Sequence, residues 1–168
     1  MQLQNLHDLF VEQLQDLYSA EQQLVEALPK MANASSHEEL RDAFEHHLEE
    51  TRGHVRRLEQ IFNQIGVAPG GQKCKGMEGL IKEGQEVLEM QGDPTVIDAA
   101  LIAAAQRVEH YEIAGYGTLK TLADHLDLGD AKDLLDETLD EESKADKLLT
   151  KIATGGMFKA GLNQQATT

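Results

Sequence analysis

The stretch QRVEHYEIAGYGTL, residues 106–119, follows the apolar run AALIAAA and sets two carboxylates, Glu109 and Glu112, three residues apart. That spacing is close to one helical turn, so both acids share one side of what otherwise reads as a core-forming helix. Glu112 has Val108, Tyr116 and Leu119 at helical offsets, and Glu109 has Ile102, Ala105 and Ile113, so both are expected to point inward. Glu21 sits on an apolar stripe between Leu17 and Val25, with Leu14 and Leu28 a further step away. Glu142 does the same among Leu135, Leu139, Ala145 and Leu149. Glu50 lies toward the flank of its stripe, with His47 and Gly53 on either side, Ala43 before it and His54 after it.

Burying several ionised carboxylates without compensation is costly, so these acids must share protons, pair with cations or hold a metal ion. One inward Glu is ordinarily an edge residue whose stem covers the core. A coincidence at the middles of three helices favours the metal site, because carboxylate constellations recur in bundle cores. Iron and manganese are the fitting ions, since carboxylates suit hard and borderline cations. Of the seven histidines, His47 and His54 are placed to serve as ligands or as supports for ligands, whereas His46 and His110 are expected to face solvent.

The elements that must position these residues are helices. Aromatics make up 4% of the 168 residues and Trp is absent, while Ala, Leu, Glu, Gln and Lys dominate, a helix-forming composition of single-domain length. Leu6, Phe10, Leu14, Leu17, Leu24, Val25 and Leu28 predict a first helix of about 28 residues, ending between Pro29 and Asn33. Ser36 and Glu39 form a capping-box pattern for a second, whose stripe runs through Leu40, Phe44, Leu48, Val55, Leu58 and Phe62 to Ile65. GVAPGGQ breaks the pattern, and MEGLIKEGQEVLEM reads as a short helix over 77–90. Asp93 as N-cap and Pro94 open a third long helix that runs to Leu126, and Gly129 is expected to close the turn that follows. A fourth ends before Gly155. The order predicts an all-α, ferritin-like four-helix bundle over residues 1–155, with a long crossover between its second and third long helices that contains the short extra helix. Residues 156–168, ending GLNQQATT, are expected to form a mobile tail.

Several function classes are disfavoured. With a formal net charge of −15, the chain would be repelled by a nucleic-acid backbone or an anionic membrane surface. The start MQLQNLHDLF lacks the basic-then-apolar pattern of a leader, and no window approaches a bilayer span, so a cytoplasmic location is expected. Cys74 is the single cysteine, which rules out an intrachain disulfide or a thiolate cluster; its flanks in QKCKGM are basic, but a loop cysteine without a role is the simpler reading.

The segments LYSAEQQL, HLEETRG, MEGLIKE, AALIAAAQRVEHYEIAGYGTL and ETLDEE together resemble the YciE/YciF-like bacterial stress proteins of the ferritin-like superfamily, closest to the YciF type, over nearly the whole chain. The resemblance implies a rubrerythrin-related bundle, a homodimer and a candidate dinuclear metal site. In the related rubrerythrin pattern the four helices supply Glu, Glu-x-x-His, Glu-x-x-Glu and Glu-x-x-His. Glu21, Glu50, Glu109, Glu112 and Glu142 fall onto it in order, while Gly53 and Ala145 stand where the histidines would be, which implies an almost all-oxygen shell. The functional expectation is a stress protein with a carboxylate-rich iron or manganese site handling peroxide or oxygen, with Tyr18, Tyr111 and Tyr116 near enough to tune it. The alternative is a non-enzymatic dimeric structural or interaction protein whose metal site has degenerated. Mini-ferritin storage with DNA protection is the weakest reading, since the tail carries no charge.

Overall fold

Residues 3–156 and 159–167 are described by the computed structural model. Among them, four long helices and two short ones carry the chain: α1 (Leu6–Ala34), α2 (Glu38–Gln64), α3 (Lys75–Glu89), α4 (Pro94–His125), α5 (Gly129–Thr154) and α6 (Leu162–Gln165). Between α5 and α6, the two-residue strands β1 (Gly155–Gly156) and β2 (Lys159–Ala160) pair antiparallel. Each long helix packs on two others, α1 on α2 and α4, and α5 on α2 and α4, which closes a four-helix ring. The crossover from α2 to α4 contains α3, which lies against α1 and α4. The all-α bundle with a long, helix-bearing crossover is thus the observed architecture.

Local chemistry explains most boundaries. Asn5 caps α1 by accepting from the Asp8 backbone N–H at 2.9 Å, and Asp93 caps α4 by accepting from Thr95 at 2.8 Å, with Pro94 in the first turn. Pro29 lies inside α1, which continues to Ala34. The capping box at Ser36 does not form. The Ser36 hydroxyl instead donates to Asp98 of α4, and the backbone N–H groups of Ser36 and His37 donate to the same carboxylate at 3.0 and 2.9 Å. A buried carboxylate on a distant helix therefore anchors the α1–α2 turn and satisfies donors that a local cap would have taken. The α4–α5 turn uses Asp127 in the left-handed region, φ 56°, and Gly129 is already the first residue of α5.

Cys74 has a structural role that its flanks concealed. It is buried, caps α3 by accepting from the Met77 N–H at 3.3 Å, and lies 3.0 Å from the Tyr111 hydroxyl on α4 and 3.3 Å from Asp16 on α1. Burial pushes its thiol above the ordinary value, so the basic neighbours do not produce a thiolate.

Of the expected tail, residues 157, 158 and 168 lie outside the described residues, and α6 packs on α4 and α5. Leu162 is 1% exposed within the core, and a Cβ at Gly161 would collide with the Thr154–Gly155 backbone, so this segment returns tightly onto the end of α5.

The core has two apolar clusters. One gathers Leu24, Leu28, Leu40, Phe44, Leu101, Ile102 and Leu149; the other gathers Phe10, Leu14, Leu17, Leu58, Ile61, Tyr116, Leu119 and Leu135. On every long helix the passage from one cluster to the other crosses a polar stretch, and there the buried acids and histidines meet.

Candidate metal centre

Glu21, His54, Glu112 and Glu142 are 0% exposed, Glu109 is 2% and His47 is 5%. α1 contributes Glu21, α2 contributes His47 and His54, α4 contributes Glu109 and Glu112, and α5 contributes Glu142. Close approach of α1 to α4 is possible because residue 115 is glycine: a Cβ there would come within 2.8 Å of Leu17.

The donor atoms converge in two groups that share one residue. His47, Glu109, Glu112 and Glu142 offer atoms all within 4.8 Å of one another, and so do Glu21, His54 and Glu142. His47 Nε2 lies 3.4 Å from Glu109 and 3.6 Å from Glu142. His54 Nδ1 lies 2.9 Å from Glu142 and 3.3 Å from Glu21. Both oxygens of Glu112, both of Glu142, Glu21 Oε2, Glu109 Oε2, His47 Nε2 and His54 Nδ1 are buried without an aligned hydrogen-bond partner. Such atoms are costly unless something else satisfies them, and their inward convergence fits a cation. The donor set is carboxylate and imidazole, suited to iron or manganese.

Outer contacts hold several of these groups. Tyr116 donates a short hydrogen bond to Glu21 Oε1. His54 Nε2 lies 2.9 Å from Glu141, which receives Arg57 at 2.6 and 2.9 Å, and Arg57 reaches Glu137 as well. Anchoring the far ring nitrogen in this way fixes which nitrogen faces the cluster.

Proton affinities follow from this crowding. Burial lifts Glu109 and Glu112 well above the usual carboxyl range; the neighbouring carboxylates add to this, while His47 opposes it at Glu109. Glu142 is raised by burial despite the nearby His54. Burial works against the charge on His54, but Glu21 and Glu142 outweigh it and carry the ring up to about 11. At His47 burial is likewise outweighed, by Glu109 and Glu50, and the ring is raised. The carboxylates thus favour the protonated form of both rings, at the place where a metal cation would sit.

Of the expected positions, Glu21, Glu109, Glu112, Glu142, His47 and His54 come together, and Glu50 stays outside. Glu50 belongs to neither convergent group; its carboxylate lies 3.3 Å from His46 and 3.3 Å from His47, at the rim. The physical reason is its position on α2, off the buried seam. The almost all-oxygen shell is corrected too, because His47 and His54 supply imidazole from positions other than Gly53 and Ala145. A Cβ on Gly53 would meet only Arg56, at 3.7 Å. Among the tyrosines, Tyr116 touches the cluster, Tyr111 donates to Asp16 at 2.6 Å, and Tyr18 donates to Glu59 at 3.0 Å, away from it. His46 and His110 are exposed, as expected. Glu141 contacts the cluster from outside, Arg57 holds Glu141, and sequence reasoning misses both; their only signal is adjacency, Glu141 beside Glu142 and Arg57 one turn after His54.

No helix among the described residues is long and apolar enough to cross a membrane. The chain is 48% identical over 165 residues to Protein YciF of Escherichia coli, an alignment that covers 98% of this chain and 99% of that one. The crystal structure of the E. coli stress protein YciF superposes with a TM-score of 0.86 at 50% identity, covering 89% of this chain and 94% of that one. YcfI of Rhodopseudomonas palustris gives 0.86 at 43% identity, covering 89% and 96%. A more distant protein of Xanthomonas campestris, 19% identical with a TM-score of 0.69, shares the fold over 88% of this chain and 89% of its own. Residues 5–166 match the family described as "Domain of unknown function (DUF892)", and the chain belongs to that family as a homologue of the YciF stress protein.

Proposed function

We propose that the chain is a cytoplasmic, homodimeric stress protein whose buried cluster holds two iron or manganese ions and uses them on peroxide or oxygen. The observation that carries this reading is Glu142: it belongs to both convergent donor groups, as a carboxylate placed between two cations would. His47, Glu109 and Glu112 would hold one ion, and Glu21 and His54 the other. A bound iron or manganese would supply a Lewis-acidic, redox-active centre. The chain's own residues do the rest. Tyr116 orients Glu21, Glu141 orients His54, and the surrounding apolar clusters limit water at the cluster.

A second reading is favoured by the two histidines themselves. His54, fully buried between Glu21 and Glu142, already compensates their charge, so a non-enzymatic dimer could keep the cluster as an internal ion network. Calorimetric titration of chelator-treated protein with manganese(II) separates the two. Two ions bound per chain are expected, together with metal in protein purified without chelator. No binding, with no metal retained, would leave the structural reading. Light scattering tests the dimer, and a monomer across micromolar concentrations would remove it.

A further inference from the structure

The polar layer has an opening. A cavity of about 150 Å³ between α2 and α5 is lined by Ala43, Phe44, Ala145 and Leu149 and reaches His47 and Glu109. Admitting one water takes roughly 10–15 Å³, so several fit. Exposure falls along it from mouth to floor: the side chains of His46 and Lys144 are 71% and 68% exposed, Glu50 is 22%, His47 is 6% and Glu109 is 3%. At the floor, His47 Nε2 and Glu109 Oε2 have no aligned hydrogen-bond partner. At the mouth, the Lys144 ammonium is held by Asp140 at 2.6 Å, while the Glu50 carboxylate spans His46 and His47. Of the two carboxylates that line the cavity, Glu50 is therefore the outer and Glu109 the inner. On the opposite flank, His54 is backed by Glu141 and Arg57.

Ala145 decides the width. It lies three residues after Glu142 on α5 and presents only a methyl group to the cavity, so any longer side chain there would occupy the space in front of Glu109 and His47.

We infer that this cavity is the port through which a divalent cation enters the cluster, with Ala145 setting its bore and Glu50 as the carboxylate that passes the ion to His47 and Glu109. The step is a ligand exchange: the hydrated ion gives up waters as protein oxygens and nitrogen replace them, and the protons that those groups hold in the metal-free state leave to solvent water, with no change of oxidation state. The inference rests on the metal reading proposed above, and it assigns Glu50 to transit rather than to the resident ligand set.

The test uses the full chain, stripped by chelator, mixed rapidly with cobalt(II) and followed by its visible absorption, with release to excess chelator measured separately. Ala145→Phe is expected to slow uptake and release alike, on the order of tenfold, so that their ratio is unchanged, as for any barrier raised without altering either end state. Glu50→Gln is expected to slow uptake while retaining most of the equilibrium affinity. A folded Ala145→Phe protein that exchanges at the wild-type rate overturns the port. If phenylalanine is not accommodated, Ala145→Val replaces it, and exchange at the wild-type rate in that variant overturns the port equally. A loss of affinity in Glu50→Gln as large as its loss of rate makes Glu50 a resident ligand and overturns its transit role. Wild type that takes up no cobalt removes the metal reading and the port together, whereas uptake with unaltered variant rates removes the port alone.

Discussion

Around His54 the contacts of the cluster continue outward into the protein, from Nε2 to Glu141, to Arg57 and to Glu137, while Tyr116 secures Glu21. Around Glu112 they stop: both its oxygens are buried without a partner, and beyond His47 and Glu109 lies the cavity. The two halves share Glu142 and lie in the same polar layer, yet the first is tied to the chain on both sides of His54, whereas in the second His47 answers Glu109 and Glu112 is left without a partner. Metal-free stability should therefore reside in the first half, and responsiveness to metal in the second.

The largest effect should come from His54→Leu. Removing the cation from a buried network leaves Glu21 and Glu142 facing each other uncompensated, a change that typically costs about 3–5 kcal/mol. Urea denaturation in the presence of chelator measures it, and a loss below about 1 kcal/mol would mean that shared protons, not His54, hold the network together. The same interaction can be read through pH. His54 is raised from 6.5 to about 11, so the folded state binds its proton more tightly, and the stabilisation is complete below the unfolded value and lost as pH climbs toward the folded one. Glu109 and Glu112, lifted above 4.5, also keep protons that the unfolded chain has released. Both contributions make metal-free stability fall as pH rises. Metal competes with those protons, so its stabilising effect should grow over the same range. A metal-free stability that rises between about pH 6 and pH 9 would contradict the protonated network.

Replacing Glu112 by Met should act in the opposite direction. An unpartnered buried polar group costs roughly 1–3 kcal/mol, so the metal-free protein should gain stability of that order, while the rise in melting temperature on adding manganese(II) shrinks. If the variant is less stable without metal, Glu112 has a partner in solution and the two halves differ less in their compensation.

How much of this can be read from the sequence depends on which periodicity is followed. The inward acids are legible because Glu21, Glu109, Glu112 and Glu142 interrupt apolar stripes at helical offsets. On α2 the apolar residues mislead. Leu48 and Val55 suggest one stripe, but the buried seam is Leu40, Phe44, His47, Thr51, His54, Leu58 and Ile61, alternating steps of four and three. Polar residues hold its centre, so a search for apolar residues skips them. Glu50 lies off that seam, which is why it sits at the rim although a Glu-x-x-His template would put it inside. The Asp98 anchor and the docking of Leu162 are illegible for another reason: each is a single side chain acting across the fold, and no local pattern announces it.

The smallest effect should come from Arg57→Met, which probes how far the compensated half depends on its outermost link. Arg57 and Glu141 are 17% and 23% exposed, so water shares their screening and the ion pair itself should contribute no more than about 1 kcal/mol to metal-free stability. Its larger role is orientation. Without Arg57, Glu141 is free to turn, the far nitrogen of His54 loses a fixed partner, and the ring can rotate away from Glu21 and Glu142. Loss of a contact of this kind typically weakens metal binding by about 10–100-fold, and here the low end applies because Glu141 remains. Calorimetry should therefore show one of two manganese(II) sites weakened, the one served by Glu21 and His54, while the one served by Glu109 and Glu112 is unchanged. Equal weakening of both sites would mean that Glu142 transmits the disturbance across the cluster, and that the two halves respond as a single unit.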